Sequence, residues 1–271
     1  MQISLLGSAA IALCLSSTAF AGTDSFNLDD VARLDILPGW RTASGSQMTA
    51  LRIRLAPGWK TYWRAPGTAG IPPRFDWEGS QNIKGVEFHW PTPNVYYVNG
   101  LRTVGYKDEL ILPMEFTPDR AEQPITLRAN IELGVCQDVC LPVTVRVAAD
   151  LTATTDPDPR ISAAIAAAPI TARAAGMRKV TCNVEPISDG LRLTATIDMP
   201  TLGQDEVAIF ELSDQTIWIA EADAQRTGPT LTATTDMVPP SNAPFALNRS
   251  DVRITVLGGG QGVDIMGCTT G

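Results

Sequence analysis

The chain has 271 residues, of which 44% are hydrophobic and 18% are charged, a composition typical of globular proteins and unlike that of disordered or collagen-like chains. Its 22 Gly and 20 Pro favour turn-rich β structure in one or two domains over a helical bundle. A formal net charge of −8 has the wrong sign for binding a phosphate backbone, so we expect no nucleic-acid partner.

Residues 1–21 are predicted to be a secretory signal peptide. They contain no charged side chain, are apolar over residues 5–15, and end in Ala19-Phe20-Ala21, a small-x-small cleavage pattern. A lipoprotein signal ending at Cys14 is disfavoured because Leu13 is bulky where a small residue is needed. We therefore expect export from the cytoplasm, and no membrane insertion of the chain after cleavage.

Residues 22–150 are predicted to form a first β-sandwich domain. Residues 125–133 place apolar side chains at odd positions and polar side chains at even positions, as a half-buried strand does. Residues 143–147 keep the same parity. Between these two segments lie Cys136 and Cys140, separated by three residues.

The spacing of Cys136 and Cys140 suits a disulfide across a hairpin loop. Residues that face each other across an antiparallel pair have Cα atoms about 4.5–5.5 Å apart, which a disulfide can bridge. The strand parity places both cysteines on the solvent face, unless a bulge at Gly134 shifts the register. An exposed bond that closes so small a loop stabilises the fold little, so reactivity explains it better, with a structural bond as the alternative.

Residues 151–175 are predicted to be a linker with a short helix. Asp158 is the expected N-cap, Pro159 the first helical residue and Pro169 the stop signal. Residues 176–271 are predicted to form a second β-sandwich, because residues 191–197 and 252–256 alternate like strands between turn residues.

The remaining two cysteines favour a structural disulfide. Four cysteines follow the signal segment, and an even number in an oxidising compartment predicts disulfides, although the count alone allows three connectivities. Cys182 shares the parity of Val180 and Val184 and should point inward. A Cys182–Cys268 bond would join the first and last strands of the second region and stabilise it by roughly 4 kcal/mol.

We expect neither a metal nor a cofactor. Four cysteines spaced in this way are a poor match to zinc sites, and His89, the single histidine, lies between two aromatic residues. Copper is harder to exclude because Cys136 and Cys140 are soft ligands. A catalytic triad is disfavoured because there is only one histidine and no Gly-x-Ser-x-Gly segment.

Four sequence segments together resemble the periplasmic N-terminal domain of the DsbD/ScsB thiol:disulfide interchange proteins. In chain order they are residues 57–67 (PGWKTYWRAPG), residues 90–93 (WPTP), Gly105-Tyr106, and residues 135–142 (VCQDVCLP). The resemblance spans roughly residues 40–150. It implies an immunoglobulin-like sandwich that passes electrons through a reversible disulfide, and we expect the second sandwich to be immunoglobulin-like too.

The resemblance also assigns roles to residues. Cys136 and Cys140 would be the redox pair, with Cys140 attacking and Cys136 resolving the mixed disulfide. Tyr96 or Tyr97 would lie in an aromatic cap loop, and Tyr62 would support the site. Asp138, between the cysteines with no Lys or His nearby in sequence, predicts a raised thiol pKa, and it or Glu132 would accept a proton in a complex.

The leading hypothesis is a periplasmic thiol–disulfide exchange protein of a Gram-negative bacterium, a component of a protein-disulfide reductase system. Its expected partners are a membrane thiol carrier of the DsbD/CcdA type and thioredoxin-like periplasmic proteins. The chain shows neither a transmembrane carrier segment nor a thioredoxin-like region, so we expect electrons to come from a separate protein. The alternative is a non-catalytic binding or scaffold module, with copper handling as one option, and a purely structural disulfide.

Overall fold

The structure, a computed structural model, describes residues 27–98, 100–152, 156–240 and 245–271. The predicted signal peptide lies outside these residues. Strands make up 53% of the described residues, and α1 (Pro159–Ala166) is the one α-helix among them. The predicted all-β class is therefore confirmed. Within the described ranges, no helix combines the length and the hydropathy that a membrane span requires.

The first sandwich consists of two sheets. The smaller contains β1 (Ala32–Leu37), β2 (Gln47–Leu55), β5 (Gly85–Phe88) and β8 (Glu109–Thr117), in the order β1-β2-β8-β5. The larger contains β3 (Lys60–Tyr62), β4 (Arg74–Asp76), β6 (Asn94–Val98), β7 (Leu101–Lys107), β9 (Ile125–Cys136) and β10 (Cys140–Leu151). Its order is β10-β9-β3-β7-β6, and β4 also pairs with β9.

The core of the first sandwich lies between these two sheets. Leu51 and Leu112 from the smaller sheet meet Leu127 and Ile131 from the larger one, and none of the four is more than 1% exposed. Along β9 the odd positions are buried and the even ones are not, as the sequence predicts, up to Leu133. From Gly134 to Cys136 every residue is buried, so at its end β9 is covered on both faces.

Helix α1 follows the predicted signals and packs on the outer face of the smaller sheet. The Asp158 side chain accepts a hydrogen bond from the Arg160 amide at 2.8 Å, and Pro159 is the first helical residue. Ile161 is fully buried in a small cluster with three residues of the sheet, Leu37, Met48 and Ala50. The segment after the first sandwich is thus bound to it.

The second sandwich repeats the pattern of a four-stranded and a six-stranded sheet. The smaller contains β11 (Ile170–Thr171), β14 (Val207–Glu211), β18 (Arg253–Gly258) and β19 (Gln261–Met266), in the order β11-β19-β18-β14. The larger contains β12 (Lys179–Pro186), β13 (Leu191–Asp198), β15 (Trp218–Ile219), β16 (Asp223–Thr227), β17 (Thr230–Val238) and β20 (Thr269–Thr270). Its order is β15-β17-β13-β12-β20, and β16 also pairs with β17.

The two sandwiches contact each other through apolar and charged side chains. Val207, Ile209 and Leu257 of the second sandwich join the core cluster of the first. Arg64 donates to both carboxylate oxygens of Glu211, at 2.8 and 3.0 Å. A second ion pair joins Arg102 Nε to Glu221 at 3.2 Å. Two sandwiches thus follow one another along the chain, and the predicted domain bounds stay a prediction.

A disulfide joins Cys182 to Cys268, with Cα atoms 5.7 Å apart. Cys182 lies on β12 and is fully buried, as its parity predicts, and Cys268 directly precedes β20, which pairs with β12. The bond therefore ties the first long strand of the second sandwich to the end of the chain, while its purely structural role stays a prediction.

Replacing both Cys182 and Cys268 by Ala should lower the free energy of unfolding by about 4.5 kcal/mol, because the bond spans 86 residues of sequence. The matched control replaces Cys136 and Cys140, which are 4 residues apart and for which the same loop-entropy relation gives about 2 kcal/mol. Denaturant unfolding of both variants measures the two losses. An equal loss for the two pairs would contradict the structural assignment.

Candidate redox site

The strand that supports the site begins at a tight turn. The Trp59 amide donates to the Ala56 carbonyl at 3.0 Å, and Gly58 has φ of +84°, as the third residue of a type II turn requires. Strand β3 follows, and alternation along it sends Lys60 and Tyr62 to one face of the sheet. Trp63, which directly follows β3, points the other way and is fully buried in the core. The order of the Pro-Gly-Trp-Lys-Thr-Tyr-Trp segment thus places a turn first, then Lys60 and Tyr62 on the disulfide face, and then Trp63 in the core.

Cys136 ends β9 and Cys140 begins β10, directly opposite each other across the antiparallel ladder. They form a disulfide with Cα atoms 4.2 Å apart. The loop between them is closed by the Gln137 amide, which donates to the Val139 carbonyl at 3.4 Å. The register is continuous through Gly134, so the bulge considered from the sequence is absent at this point and the hairpin prediction is confirmed.

The two cysteines differ in exposure, which corrects the expectation that both face solvent. Cys140 is exposed, whereas Cys136 is fully buried. The reason is the cover over Gly134, where an added Cβ would lie 2.8 Å from the Tyr62 ring and 2.7 Å from Ile71. Strand parity identified the face correctly, but it could not show that an aromatic ring fills that face next to Cys136.

The Tyr62 hydroxyl lies against both sulfurs of the disulfide. Its oxygen is 2.8 Å from Cys136 Sγ and 3.0 Å from Cys140 Sγ. Disulfide sulfurs carry no hydrogen, so the hydroxyl is the donor. Tyr62 is only 2% exposed, and burial raises the pKa of its hydroxyl, which keeps the proton on the oxygen. The structure thus places Tyr62 at the bond itself.

The other predicted site residues occupy three different positions. Tyr96 on β6 lies opposite Thr103 and shares the sheet face of the cysteines, whereas Tyr97 lies opposite Arg102 on the other face and is 63% exposed. Asp138 is exposed in the loop between the cysteines. Whether Tyr96 or Tyr97 caps the disulfide stays a prediction.

Lys60 is a site residue that the sequence analysis missed. It lies directly opposite Cys136 in the pairing of β3 with β9, although 76 positions separate the two in the sequence. Lys107 lies opposite Lys60 on its other side, in β7. The alternation of Lys60 with Tyr62 was the available signal, since it puts both side chains on one face. A raised thiol pKa was expected because Asp138 is near the cysteines in sequence and no lysine is. Lys60 and Lys107 add positive charge to that site.

The described residues contain no group of three His, Cys, Asp or Glu side chains with the spacing of a metal site. His89 lies with Nε2 3.3 Å from a carboxylate oxygen of Glu115, at the other sheet of the sandwich. The histidine is therefore not placed at the disulfide.

Residues 33–152 match the family model described as the N-terminal domain of the thiol:disulfide interchange protein DsbD. The matched range contains Tyr62, Cys136 and Cys140. The resemblance seen in the sequence is confirmed. Residues 33–152 are called the DsbD-type domain below. This match supports a thiol–disulfide interchange module with a disulfide pair.

Among solved structures, the fold is similar to the N-terminal periplasmic domain of ScsB from Proteus mirabilis. The TM-score is 0.68 at 22% sequence identity, over 91% of this chain and 97% of that one. At this identity the similarity shows a shared fold, and the covered share includes both the DsbD-type domain and the second sandwich. No curated protein sequence matches the chain.

Replacing Tyr62 by Phe should raise the thiol pKa of the reduced site by about one to two units, because a hydrogen bond to a charged group contributes about 1.5–3 kcal/mol and favours the thiolate. The pH dependence of alkylation of the reduced protein measures this shift. Tyr106→Phe is the matched control, because Tyr106 lies in the core, where its hydroxyl donates to the Pro91 carbonyl, and its loss should leave the profile unchanged. An unaltered profile in Tyr62→Phe would show that the hydroxyl does not act on the sulfurs.

Proposed function

We propose that this protein exchanges its Cys136–Cys140 disulfide with cysteine pairs of partner proteins and, in its reduced form, delivers two electrons to them. The observation that carries the proposal is the unequal environment of the two cysteines. Cys140 is exposed at the start of β10, while Cys136 is fully buried beneath Tyr62. A partner sulfur can reach Cys140, whereas Cys136 is shielded from the partner and lies next to Cys140.

The exposure supports a fixed order of events. The Cys140 thiolate attacks one sulfur of a partner disulfide, forms a Cys140–partner bond and releases the second partner sulfur as a thiolate. The Cys136 thiolate then attacks Cys140 Sγ, which re-forms the Cys136–Cys140 bond and releases the first partner sulfur. The partner gains two electrons and this protein loses two. The roles are those that the resemblance implied, and the different burial of the two cysteines supports them.

The family match supports a periplasmic location and partners of two kinds, a membrane thiol carrier that reduces Cys136–Cys140 and thioredoxin-like proteins that receive the electrons. An exposed apolar side chain adjoins the accessible cysteine, since Val139, next to Cys140 in the sequence, is 68% exposed. An apolar neighbour beside one exposed sulfur suits a transient protein contact.

Cys140→Ser should abolish disulfide exchange with a thioredoxin-like partner, because the accessible nucleophile is lost. Cys136→Ala should instead accumulate a mixed disulfide on Cys140, because the resolving sulfur is absent. Non-reducing gel electrophoresis and mass spectrometry of partner mixtures measure both outcomes, with Cys182→Ala/Cys268→Ala as the control that leaves the pair intact. Exchange at an unchanged rate in Cys140→Ser would overturn the site assignment.

The reduction potential separates this proposal from a scaffold module with a structural bond. Structural disulfides of secreted proteins have potentials below about −300 mV. We expect the Cys136–Cys140 couple to lie above that value and the Cys182–Cys268 couple to lie below it, so one chain supplies both the test and its reference. Equilibration with glutathione and thioredoxin buffers measures the two couples. If both couples had potentials below about −300 mV, the value typical of structural disulfides, the result would favour the scaffold module over the exchange protein.

A further inference from the structure

A buried lysine lies on the disulfide face with no carboxylate to balance it. Lys60 is 6% exposed, and among the described residues no Asp or Glu oxygen lies within ion-pair distance of its ammonium. Buried lysines are rare unless they are paired, because water no longer stabilises their charge. The position of Lys60 therefore requires an explanation.

The contacts of the Lys60 ammonium are weak substitutes for a counter-charge. It donates to the Thr103 hydroxyl at 3.3 Å and lies 5.8 Å from the centre of the Tyr96 ring. The Lys107 ammonium lies 4.6 Å from the same ring. Burial, and then the neighbouring charge of Lys107, lower the pKa of Lys60. Every one of these groups is neutral or positive.

Lys60 and Cys136 are direct neighbours on one face of the sheet. They are opposite partners in the antiparallel pairing of β3 with β9. The Cβ atoms of such partners are about 4.5–5.5 Å apart, so the four-carbon stem holds the ammonium within about 10 Å of the Cys136 Cβ. Tyr62 lies on the same face and contacts both sulfurs.

Among the described residues, the other charged and titratable groups around this face do not supply a close anion. β7 contributes Lys107, and β6 contributes Tyr96. Burial raises the pKa of Tyr96, a hydrogen bond with the Asn94 side chain lowers it by less, and the charge of Asp108, which follows β7, has a smaller raising effect. From β3 comes the neutral Tyr62. On β9 and its loop they are Glu132 and Asp138, both exposed to water. Charges in water are screened, so the buried ammonium dominates the local field.

The disulfide is neutral when oxidised, but the reduced pair carries a negative charge whenever a thiolate forms. We propose that Lys60 is the residue that stabilises the Cys136 thiolate of the reduced site. This inference rests on the proposed function, since it concerns the reduced state through which exchange passes. It explains why a lysine without a carboxylate lies beside a disulfide, because its counter-charge appears on reduction.

The stabilised thiolate acts in the second half of exchange. The Cys136 thiolate attacks Cys140 Sγ of the mixed disulfide, the Cys136–Cys140 bond forms, and the Cys140–partner bond breaks with the electron pair leaving on the partner sulfur. A larger thiolate fraction of Cys136 shortens the lifetime of the mixed disulfide. Lys60 thus makes release of the reduced partner faster without touching the partner.

The test measures the Cys136 thiol alone, in a Cys140→Ala protein, by thiolate absorbance against pH. Lys60→Met should raise the thiol pKa by about one unit, the shift expected for one charge near 10 Å at an effective dielectric constant near 20, which is a tenfold loss of thiolate below the pKa. Lys60→Arg should restore the value, since it keeps the charge. Lys84→Met, an exposed lysine before β5, is the matched control.

A measurement on the natural lysine covers the case in which Lys60→Met does not fold. Linkage requires that a Cys136 thiolate raises the pKa of Lys60 by as much as Lys60 lowers that of Cys136. NMR titration of the Lys60 side chain should therefore give a higher pKa in the Cys140→Ala protein with its thiol ionised than in the oxidised protein. Equal values in the two states, or an unchanged thiol pKa in folded Lys60→Met, would overturn the proposal.

These outcomes separate the inference from the proposed function. If the thiol pKa responds to Lys60 but no partner exchanges with Cys140, the electron-transfer proposal fails and the charge assignment stands. If exchange occurs but the thiol pKa does not change when Lys60 is replaced, the electron-transfer proposal stands and the charge assignment fails.

Discussion

The site depends on one constraint, the antiparallel pairing of β9 with a different strand on each side. On one side β10 places Cys140 opposite Cys136, and on the other β3 places Lys60 opposite the same cysteine. Because both strands pair at the last residue of β9, backbone hydrogen bonds fix Cys136, Cys140 and Lys60 next to one another in the sheet.

Gly134 shows how closely the backbone and the site are linked. Two residues before Cys136, it leaves the space that the Tyr62 ring occupies, since an added Cβ would approach that ring to 2.8 Å. A larger residue there would displace the ring, and with it the hydroxyl that contacts both sulfurs. The absence of a side chain at one position thus decides where a hydrogen-bond donor lies at another.

The sequence was informative where the relevant residues are close together in it. The alternation of residues 125–133, the Asp158-Pro159 helix start and the three-residue spacing of the cysteines each depend on local geometry, and each predicted its element. Two other features do not depend on local geometry. The Tyr62 ring buries Cys136, and the pairing of β3 with β9 places Lys60 opposite Cys136, although both residues are more than 70 positions from that cysteine in the chain. The Arg64–Glu211 pair spans 147 positions and has no local signal at all.

Electrostatics at this site illustrates why neighbours in sequence are a poor guide to charge. The chain is acidic overall, with a net charge of −8, and Asp138 is the charged residue nearest to both cysteines in sequence. Its carboxylate is in water, where a high dielectric constant and mobile ions weaken its field. The Lys60 ammonium is buried, so its field is far less screened. The field of a single buried cation can therefore exceed that of an exposed anion that is closer in sequence. The sign of the local potential follows from burial more than from net charge.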